Sequence, residues 1–308
     1  MCRRLLFIAT AIVVLFGAWG CKSDASHKKP TIVATTGFAA EICKVIFEDD
    51  CKVVQLMGPG VDPHLFKPAI ADIQQLYNAD LIVCHGLHLE GKMSQIFEEL
   101  GTKRKIITLG ECFAVNQLIF HNSTQPDPHF WFDLAMWAQA SRYFSQRASQ
   151  LGFISDDVAD ARLKPYTKEI METDGYIRKE VNNIASTRRY LVSTHDAFSY
   201  YGRAYGLQVK SLQGISTVAE FGLRDIKSIV DFMTTSGVSV IFSELSTPTQ
   251  PIKAIAEGVK ARGQKLTIGG SLFTDALGAK GSSEQTLAGA ARYNTKLITT
   301  NLYGQHSR

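Results

Sequence analysis

Four widely separated residues carry side chains that could bind one transition-metal ion together. His64 and His129 each end an Asp-Pro-His tripeptide, and His195 opens a His-Asp-Ala-Phe segment. Asp275 ends a Gly-Gly-Ser-Leu-Phe-Thr-Asp segment in the last part of the chain. Three imidazoles and one carboxylate form a donor set that suits Zn²⁺, Mn²⁺ or Fe²⁺. Each of these residues alone is more often a hydrogen-bonded loop residue, so the hypothesis requires that the fold bring all four together.

The elements that must position these side chains alternate between strands and helices. Short apolar runs separated by amphipathic segments predict mostly parallel sheets covered by helices. Strands are expected at residues 31–35, 52–57, 81–84, 105–109, 190–193, 208–212, 239–243 and 265–268. Helices are expected at residues 37–48, 69–78, 92–100, 133–151, 196–205, 223–235, 252–261 and 284–299. We expect all four candidates just past the carboxyl ends of strands, the edge at which ligands bind in open α/β sheets.

One helical segment without strand character separates two α/β halves. Its apolar residues recur at helical spacing, and Pro165 is expected to kink the helix or to mark its restart. The prediction is an α/β protein of two lobes, each a mostly parallel sheet flanked by helices, joined by one long backbone helix. The expected boundaries are a signal peptide at 1–20, a tether at 21–30, an N-terminal lobe at 31–155, a linking helix at 156–186 and a C-terminal lobe at 187–308.

Composition excludes several classes of protein. The chain has 308 residues, of which 45% are hydrophobic and 20% charged, values that are ordinary for a globular protein. Lysine and arginine number 33 against 29 acidic residues, a formal net charge of +4. Because nucleic-acid-binding proteins carry a strong basic excess, we expect no nucleic-acid partner.

The first residues predict export from the cytoplasm. Arg3 and Arg4 precede an uncharged run at residues 5–20 that is too short to span a bilayer comfortably and fits a secretory signal. Cys21 follows at once, as at a bacterial lipoprotein processing site, although Ala18 and Trp19 depart from the usual residues there. We expect a lipidated Cys21 and a periplasmic or membrane-anchored protein. Soluble release and an uncleaved anchor are the alternatives.

Four further cysteines allow several disulfide pairings, and the sequence does not choose among them. They are Cys43, Cys51, Cys84 and Cys112. Cys43 and Cys51 could bridge in an oxidising compartment. Buried free thiols are the expected state, because cysteine packs as a small hydrophobic residue.

Taken in order, seven segments resemble the metal-specific solute-binding proteins of bacterial ABC importers for zinc, manganese and iron. The segments are residues 58–64, 78–82, 86–90, 127–133, 194–198, 212–217 and 269–275. The resemblance implies two α/β lobes around one divalent ion bound by His64, His129, His195 and Asp275. It also implies a monomeric receptor that catalyses no reaction and delivers its ion to a membrane permease powered by a separate ATPase.

The resemblance leaves the identity of the ion open. Zinc-dedicated members often carry a loop rich in histidine and aspartate before the second Asp-Pro-His, whereas residues 113–125 contain only His121. Manganese-selective members often have glutamate where His195 stands. A site of three histidines and one aspartate should bind Zn²⁺ more tightly than Mn²⁺ or Fe²⁺. Its affinity is expected to fall below about pH 6.5, where free imidazoles become protonated.

A catalytic function and a metal-independent function are the two alternatives. A zinc-dependent hydrolase could use the same cluster with Asp275 as a base, but a fourth protein ligand favours binding over catalysis. A surface adhesin would need no metal, and purified protein that fails to retain metal would support it.

A phosphate-binding loop is the remaining motif. Gly86-x-x-x-x-Gly91-Lys92 has the spacing of such a loop, and the run 240–244 could be its acid-ended partner strand. Met93 replaces the required serine or threonine, and Glu90 would place a negative charge against the phosphates. We therefore do not expect nucleotide hydrolysis.

Several polar residues are expected to support the site rather than to bind the ion. Metal-bound imidazoles usually donate their second N–H to an oxygen, and four carboxylates are candidates for this role: Asp62, Asp133, Asp196 and Glu220. A helix-capping role for Asp196 is an equal alternative. His85 and His88 are expected to be hydrogen-bonded structural residues.

Overall fold

The computed structural model describes residues 28–121, 124–218 and 221–303. The signal peptide, most of the tether including Cys21, and Glu220 lie outside these ranges. Within the described ranges, no helix combines the length and hydropathy that a membrane span requires.

The N-terminal lobe is a four-stranded parallel sheet with helices around it. Its strands are β1 (Thr31–Ala34), β2 (Lys52–Gln55), β3 (Leu81–Cys84) and β4 (Lys105–Thr108), in the order β2-β1-β3-β4. Every pair is parallel. Its helices are α1 (Gly37–Phe47), α2 (Ile70–Asn78), α3 (Ser94–Gly101) and α4 (Leu134–Gln150). Strand β3, Leu-Ile-Val-Cys, is buried along its whole length, as expected for a strand covered on both faces.

The C-terminal lobe contains two parallel strand pairs. Strand β5 (Tyr190–Ser193) pairs with β6 (Gln208–Ser211), strand β7 (Val240–Glu244) pairs with β8 (Thr267–Leu272), and β5 lies beside β7. The helices of this lobe are α6 (Ser199–Tyr205), α7 (Leu223–Ser236), α8 (Gln250–Ala261) and α9 (Leu287–Tyr303). The α/β prediction of parallel sheets flanked by helices is confirmed.

Strand β8 is longer than predicted, because two glycines continue it. A Cβ atom at Gly269 would lie 2.4 Å from the Phe242 ring, so only glycine lets β8 pass that side chain. Gly270 has a φ of 112°, a conformation that side chains rarely adopt. The ladder between β7 and β8 shifts register at the same place. The strand therefore continues to Leu272, three residues before Asp275.

Helix α5 (Asp156–Asn182) links the two lobes and is continuous through Pro165. Of the two expectations for this proline, the restart of the helix is therefore wrong, and the kink stays a prediction. The face that carries Tyr166, Ile170 and Ile177 is buried, and it belongs to one hydrophobic core that also includes residues of α1, α4 and α9. The lobes are consequently joined by shared packing as well as by the chain.

The four described cysteines are free thiols, as expected, and three of them are buried. Burial raises the pKa of the Cys43 and Cys84 thiols, which keeps them protonated and unreactive.

Candidate metal centre

His64, His129, His195 and Asp275 meet between the lobes. One potential ligand atom of each residue lies within 4.8 Å of those of the other three. The side chains of His129 and His195 are fully buried, and His64 and Asp275 are each 3% exposed. These are the four residues expected from the sequence, and the structure brings their side chains together.

Two of the four follow strands directly, and two do not. His195 comes two residues after β5, and Asp275 comes three residues after β8. His64 lies in the loop between β2 and α2, where the Asp62 carboxylate accepts the backbone N–H of His64 at 2.8 Å. His129 lies between a long loop and a short 3₁₀ helix at Phe130–Phe132, so its expected position just past a strand is wrong.

The spacing of the ligand atoms fits a small tetrahedral ion. Nε2 of His129 lies 3.3 Å from Nε2 of His64 and 3.4 Å from Nε2 of His195. Asp275 places Oδ1 3.4 Å from His129 Nε2, and Oδ2 3.3 Å from His195 Nε2 and 4.0 Å from His64 Nε2. Ligand atoms about 2.0–2.1 Å from a tetrahedral Zn²⁺ are about 3.3–3.4 Å apart. Four of these five separations match this value, with a different oxygen of Asp275 facing His129 and His195, and the separation from Asp275 to His64 is longer.

Both carboxylate oxygens of Asp275 are buried and accept no hydrogen bond from the described residues. A buried carboxylate loses its hydration at a cost of several kcal/mol, and without a metal ion only the imidazoles of His129 and His195, 3.4 and 3.3 Å from its oxygens, offset part of this cost. A cation between Asp275 and the three imidazoles would remove this cost. This is the strongest single indication that the cluster accommodates an ion.

The protonation of the cluster follows from its charges. Burial alone would lower the pKa of His129, but the Asp127 and Asp275 carboxylates outweigh burial and raise this pKa to about 9. Glu244 and Asp275 likewise raise the pKa of His195 well above its usual value, against the effect of burial. Burial would raise the pKa of Asp275, but the two imidazoles lower it well below its usual range.

His64 behaves differently from the other two imidazoles. Burial dominates and lowers its pKa to about 3, with only partial compensation from Asp275. His64 is therefore neutral at pH 7 and ready to bind a cation through Nε2.

Two carboxylates that the sequence analysis missed hold the second nitrogens of the imidazoles. Asp127 Oδ1 lies 2.7 Å from Nδ1 of His129 and also accepts the backbone N–H of that residue at 2.9 Å. Glu244 Oε2 contacts Nδ1 of His195, while its Oε1 accepts the backbone N–H of His195 at 2.8 Å and the Thr194 hydroxyl at 2.5 Å. Both imidazoles therefore direct Nε2 towards the cluster.

The carboxylates expected in this role have other partners. Asp133 caps α4 by accepting the N–H groups of Ala135 and Met136. Asp196 accepts the Ser199 hydroxyl at 2.8 Å. Asp62 holds the backbone of its own loop and accepts the Thr217 hydroxyl from the other lobe at 2.6 Å. Glu220 lies outside the described residues.

Sequence signals for the missed carboxylates existed. Asp127 belongs to the same Asp-Pro-His tripeptide as His129. Glu244 ends strand β7 at the sheet edge that carries His195. The sequence pattern of this strand was interpreted only as the partner strand of a phosphate-binding loop.

Replacing Glu244 with glutamine is expected to weaken Zn²⁺ binding about 10- to 100-fold, the usual effect of removing a carboxylate that orients a metal-bound imidazole. The amide would turn a donor towards one of the N–H and O–H groups that now donate to Glu244. Isothermal titration of metal-free protein measures this change.

Glu90 offers a matched control for the Glu244 variant. It is a buried carboxylate of the N-terminal lobe that accepts the Thr35 hydroxyl at 2.6 Å and the backbone N–H of His85 at 2.7 Å. Glu90→Gln should lose stability but keep its metal affinity. Equal affinities of the two variants would contradict an orienting role for Glu244.

The segment with phosphate-loop spacing binds its own carboxylate. Glu90 accepts the backbone N–H groups of His85 and Gly86, which occupies the donors that a phosphate would need. His85 is buried, stacks on the Phe130 ring at 4.3 Å and places Nε2 3.2 Å from the Pro128 carbonyl oxygen. His88 is exposed and is not a member of the cluster. His85 is therefore the hydrogen-bonded structural residue that was expected, and the same expectation for His88 stays a prediction.

The fold and the cluster together define a two-lobed α/β protein with a candidate metal site between its lobes. A family model described as "Zinc-uptake complex component A periplasmic" (ZnuA) matches residues 32–301, and the chain belongs to this family. It is 36% identical over 300 residues to the manganese-binding lipoprotein MntA of Bacillus subtilis, covering 96% of this chain and 98% of the relative.

A second relative has a solved structure. The chain is 37% identical over 303 residues to the zinc-binding protein TroA of Treponema pallidum, covering 97% of this chain and 98% of TroA. The structure of periplasmic TroA superimposes with a TM-score of 0.87 over 89% of this chain and 99% of that chain. The predicted resemblance to metal-specific solute-binding proteins is confirmed.

Proposed function

We propose that this protein is an extracytoplasmic receptor that captures one divalent transition-metal ion between its lobes and delivers it to the permease of an ABC importer. His64, His129, His195 and Asp275 are the proposed ligands. The observation that carries the proposal is the buried Asp275 carboxylate, whose oxygens lie 3.3, 3.4 and 4.0 Å from the Nε2 atoms of His195, His129 and His64. The relatives MntA, a manganese-binding lipoprotein, and TroA, a zinc-binding protein, support it.

Zn²⁺ is the ion that we propose binds most tightly. Three nitrogen ligands at tetrahedral spacing suit Zn²⁺, and the general order of affinities places it above Mn²⁺ and Fe²⁺. The relatives divide between manganese and zinc in their names, so the ion captured in the cell also depends on which metal is supplied. A receptor that transports manganese would still bind zinc more tightly in a test tube.

A binding role fits the cluster better than a hydrolytic one. Four protein ligands fill a tetrahedral shell, whereas catalytic zinc keeps one position for water or substrate. His129 and His195 are fully buried, which leaves no approach for an ester or peptide at these two ligands. We therefore propose that the protein catalyses no reaction and acts with a separate permease and ATPase.

The proposed anchor and boundaries follow the sequence. A lipid on Cys21 would tether the receptor to the outer face of a membrane, and the word lipoprotein in the name of MntA supports this. The lobes are proposed to occupy 31–155 and 187–308, with residues 156–186 between them. The receptor is proposed to act as a monomer.

Metal titration tests the function directly. Metal-free protein should bind one equivalent of Zn²⁺, at least tenfold more tightly than Mn²⁺, because of the nitrogen-rich donor set. Binding to the folded state alone should raise the melting temperature with rising ion concentration. Mg²⁺ serves as the control ion, and a melting temperature that responds equally to Mg²⁺ and Zn²⁺ would contradict the proposal.

A further inference from the structure

The segment that carries Asp275 belongs to the C-terminal lobe but rests on the N-terminal lobe. Trp131 donates its indole N–H to the backbone carbonyl oxygen of Thr274 at 3.1 Å. On the other side of Asp275, a Cβ atom at Gly37, the first residue of α1, would lie 3.5 Å from Cγ of Leu277. The N-terminal lobe therefore holds the chain immediately before and after the aspartate.

Between Asp275 and the start of α9, the segment forms hydrogen bonds within itself. The N–H of Gly278 donates to the Glu284 carbonyl oxygen at 2.7 Å, and the N–H of Ser282 donates to the Ala279 carbonyl oxygen at 3.0 Å. A Cβ atom at Gly289 would lie 1.7 Å from the Ser283 carbonyl oxygen, so this loop packs directly on the first turn of α9. A shift of that turn would consequently move the segment that carries Asp275.

Glu41 of α1 holds the first turn of α9 from the opposite lobe. Its Oε2 accepts the backbone N–H of Leu287, the first residue of α9, at 2.8 Å. The first N–H groups of a helix have no partner within the helix and carry partial positive charge. A carboxylate at this position accepts a hydrogen bond from such an N–H group and interacts favourably with the partial positive charge.

The same carboxylate contacts the helix that links the lobes. Glu41 lies beside the Tyr166 hydroxyl of α5, and this hydroxyl accepts the indole N–H of Trp137 in α4 at 2.8 Å. Glu41 thus joins α1, α5 and α9 at one point, and Tyr166 connects this point to α4.

An open cavity of about 910 Å³ adjoins Glu41 and is lined by Leu277, Gly278 and Thr286 of the segment that carries Asp275. Because this space lies beside the Glu41 contact, the first turn of α9 has room to shift once the contact is removed. Leu287 and Ala288 of that turn are buried, so the expected shift is small.

We propose that Glu41 is a positioning residue of the metal centre, which holds the start of α9 so that the Asp275 carboxylate faces the three imidazoles. This inference rests on the proposed function. In this proposal, a residue of α1 in the N-terminal lobe positions Asp275, a metal ligand of the C-terminal lobe.

Three variants of Glu41 separate reach from charge. Glu41→Ala removes the acceptor, and Glu41→Asp keeps the carboxyl group but is one methylene too short to reach Leu287. Both should weaken Zn²⁺ binding about tenfold, within the range measured for coupled contacts. Glu41→Gln keeps an acceptor at the same distance and should bind within about twofold of the unaltered protein. Competition with a chelating dye measures the affinities, and Glu41→Asp carries the test if Glu41→Ala does not fold.

A double-mutant cycle distinguishes positioning of Asp275 from general loss of structure. In an Asp275→Asn background, Glu41→Ala should cause no further loss of affinity, because the ligand on which it acts is already impaired. In a His64→Ala background, the tenfold loss should persist. Equal losses in the two backgrounds would overturn the inference.

Glu169→Ala is the matched control, because Glu169 lines the same cavity from α5. Its Zn²⁺ affinity should equal that of the unaltered protein, and an affinity as low as that of Glu41→Ala would overturn the inference. Failure of the unaltered protein to bind any divalent ion would instead overturn the proposed function. A different result would overturn only the role of Glu41. In that case the unaltered protein binds Zn²⁺ and His64→Ala weakens binding, but Glu41→Ala and Glu41→Asp bind Zn²⁺ as tightly as the unaltered protein.

Discussion

Replacing His129 with alanine is expected to lower Zn²⁺ affinity about 100- to 1,000-fold. His129 is the central member of the cluster, since its Nε2 lies within 3.4 Å of atoms of the other three residues. Zinc-binding free energies of about 10–16 kcal/mol are shared among four ligands, so the loss of one removes a quarter of the total. Competition titration against a chelator of known affinity measures the change.

The His129 variant should remain folded without metal. Asp127 keeps the backbone N–H of residue 129 as a donor after the imidazole is removed, so the buried carboxylate retains a partner. His88→Ala is the control, because this exposed histidine is not a member of the cluster. A folded His129→Ala protein with unaltered Zn²⁺ affinity would refute the proposed ligand set.

Lowering the pH from 8 to 6 is expected to weaken Zn²⁺ binding by at least about a hundredfold. With a pKa of about 9, His129 is protonated in the metal-free protein at pH 8, and the neighbouring carboxylates also favour the charged form of His195 by raising its pKa. Each ion that binds must displace these protons, and each displaced proton reduces affinity about tenfold per pH unit below its pKa. His64, with a pKa of about 3, takes up no proton in this range.

From the sequence we expect this loss to begin near pH 6.5, whereas the raised pKa of His129 predicts that it begins at a higher pH. The reason is the carboxylates that surround His129 and His195, which stabilise the charged imidazoles before metal arrives. Titrations at pH 6, 7 and 8 measure the slope, and calorimetry in buffers of different ionisation enthalpy counts the released protons. An affinity that is constant across this range would show that the imidazoles are neutral before binding.

Most of the architecture could be predicted because the chain alternates apolar and amphipathic segments. The eight strands lie where short apolar runs were recognised, with differences of a few residues at their ends. Helix α6 is a revealing exception, since it begins at Ser199 rather than at Asp196. The Ser193 hydroxyl and the N–H of Ala197 both donate to the His195 carbonyl oxygen. This local turn delays the helix and directs His195 into the cluster.

The four candidate ligands were predictable from residue type and motif, but the residues that orient them were not. Glu244 and His195 are 49 positions apart and meet only because β5 lies beside β7. Glu41 and Leu287 are 246 positions apart. Contacts of this kind depend on how helices and strands that are distant in sequence pack against each other. The periodicity of residues along the chain does not predict this packing.

The hydrophobic core shared by both lobes has a consequence for the lifetime of the bound state. Swinging the lobes widely apart would expose apolar side chains to water at a cost of about 25 cal/mol per Å², so spontaneous wide opening is rare. The time for which the metal ion stays bound should then be governed by the rupture of individual coordination bonds to its four ligands. Rapid unloading would require a docked permease to force these bonds apart.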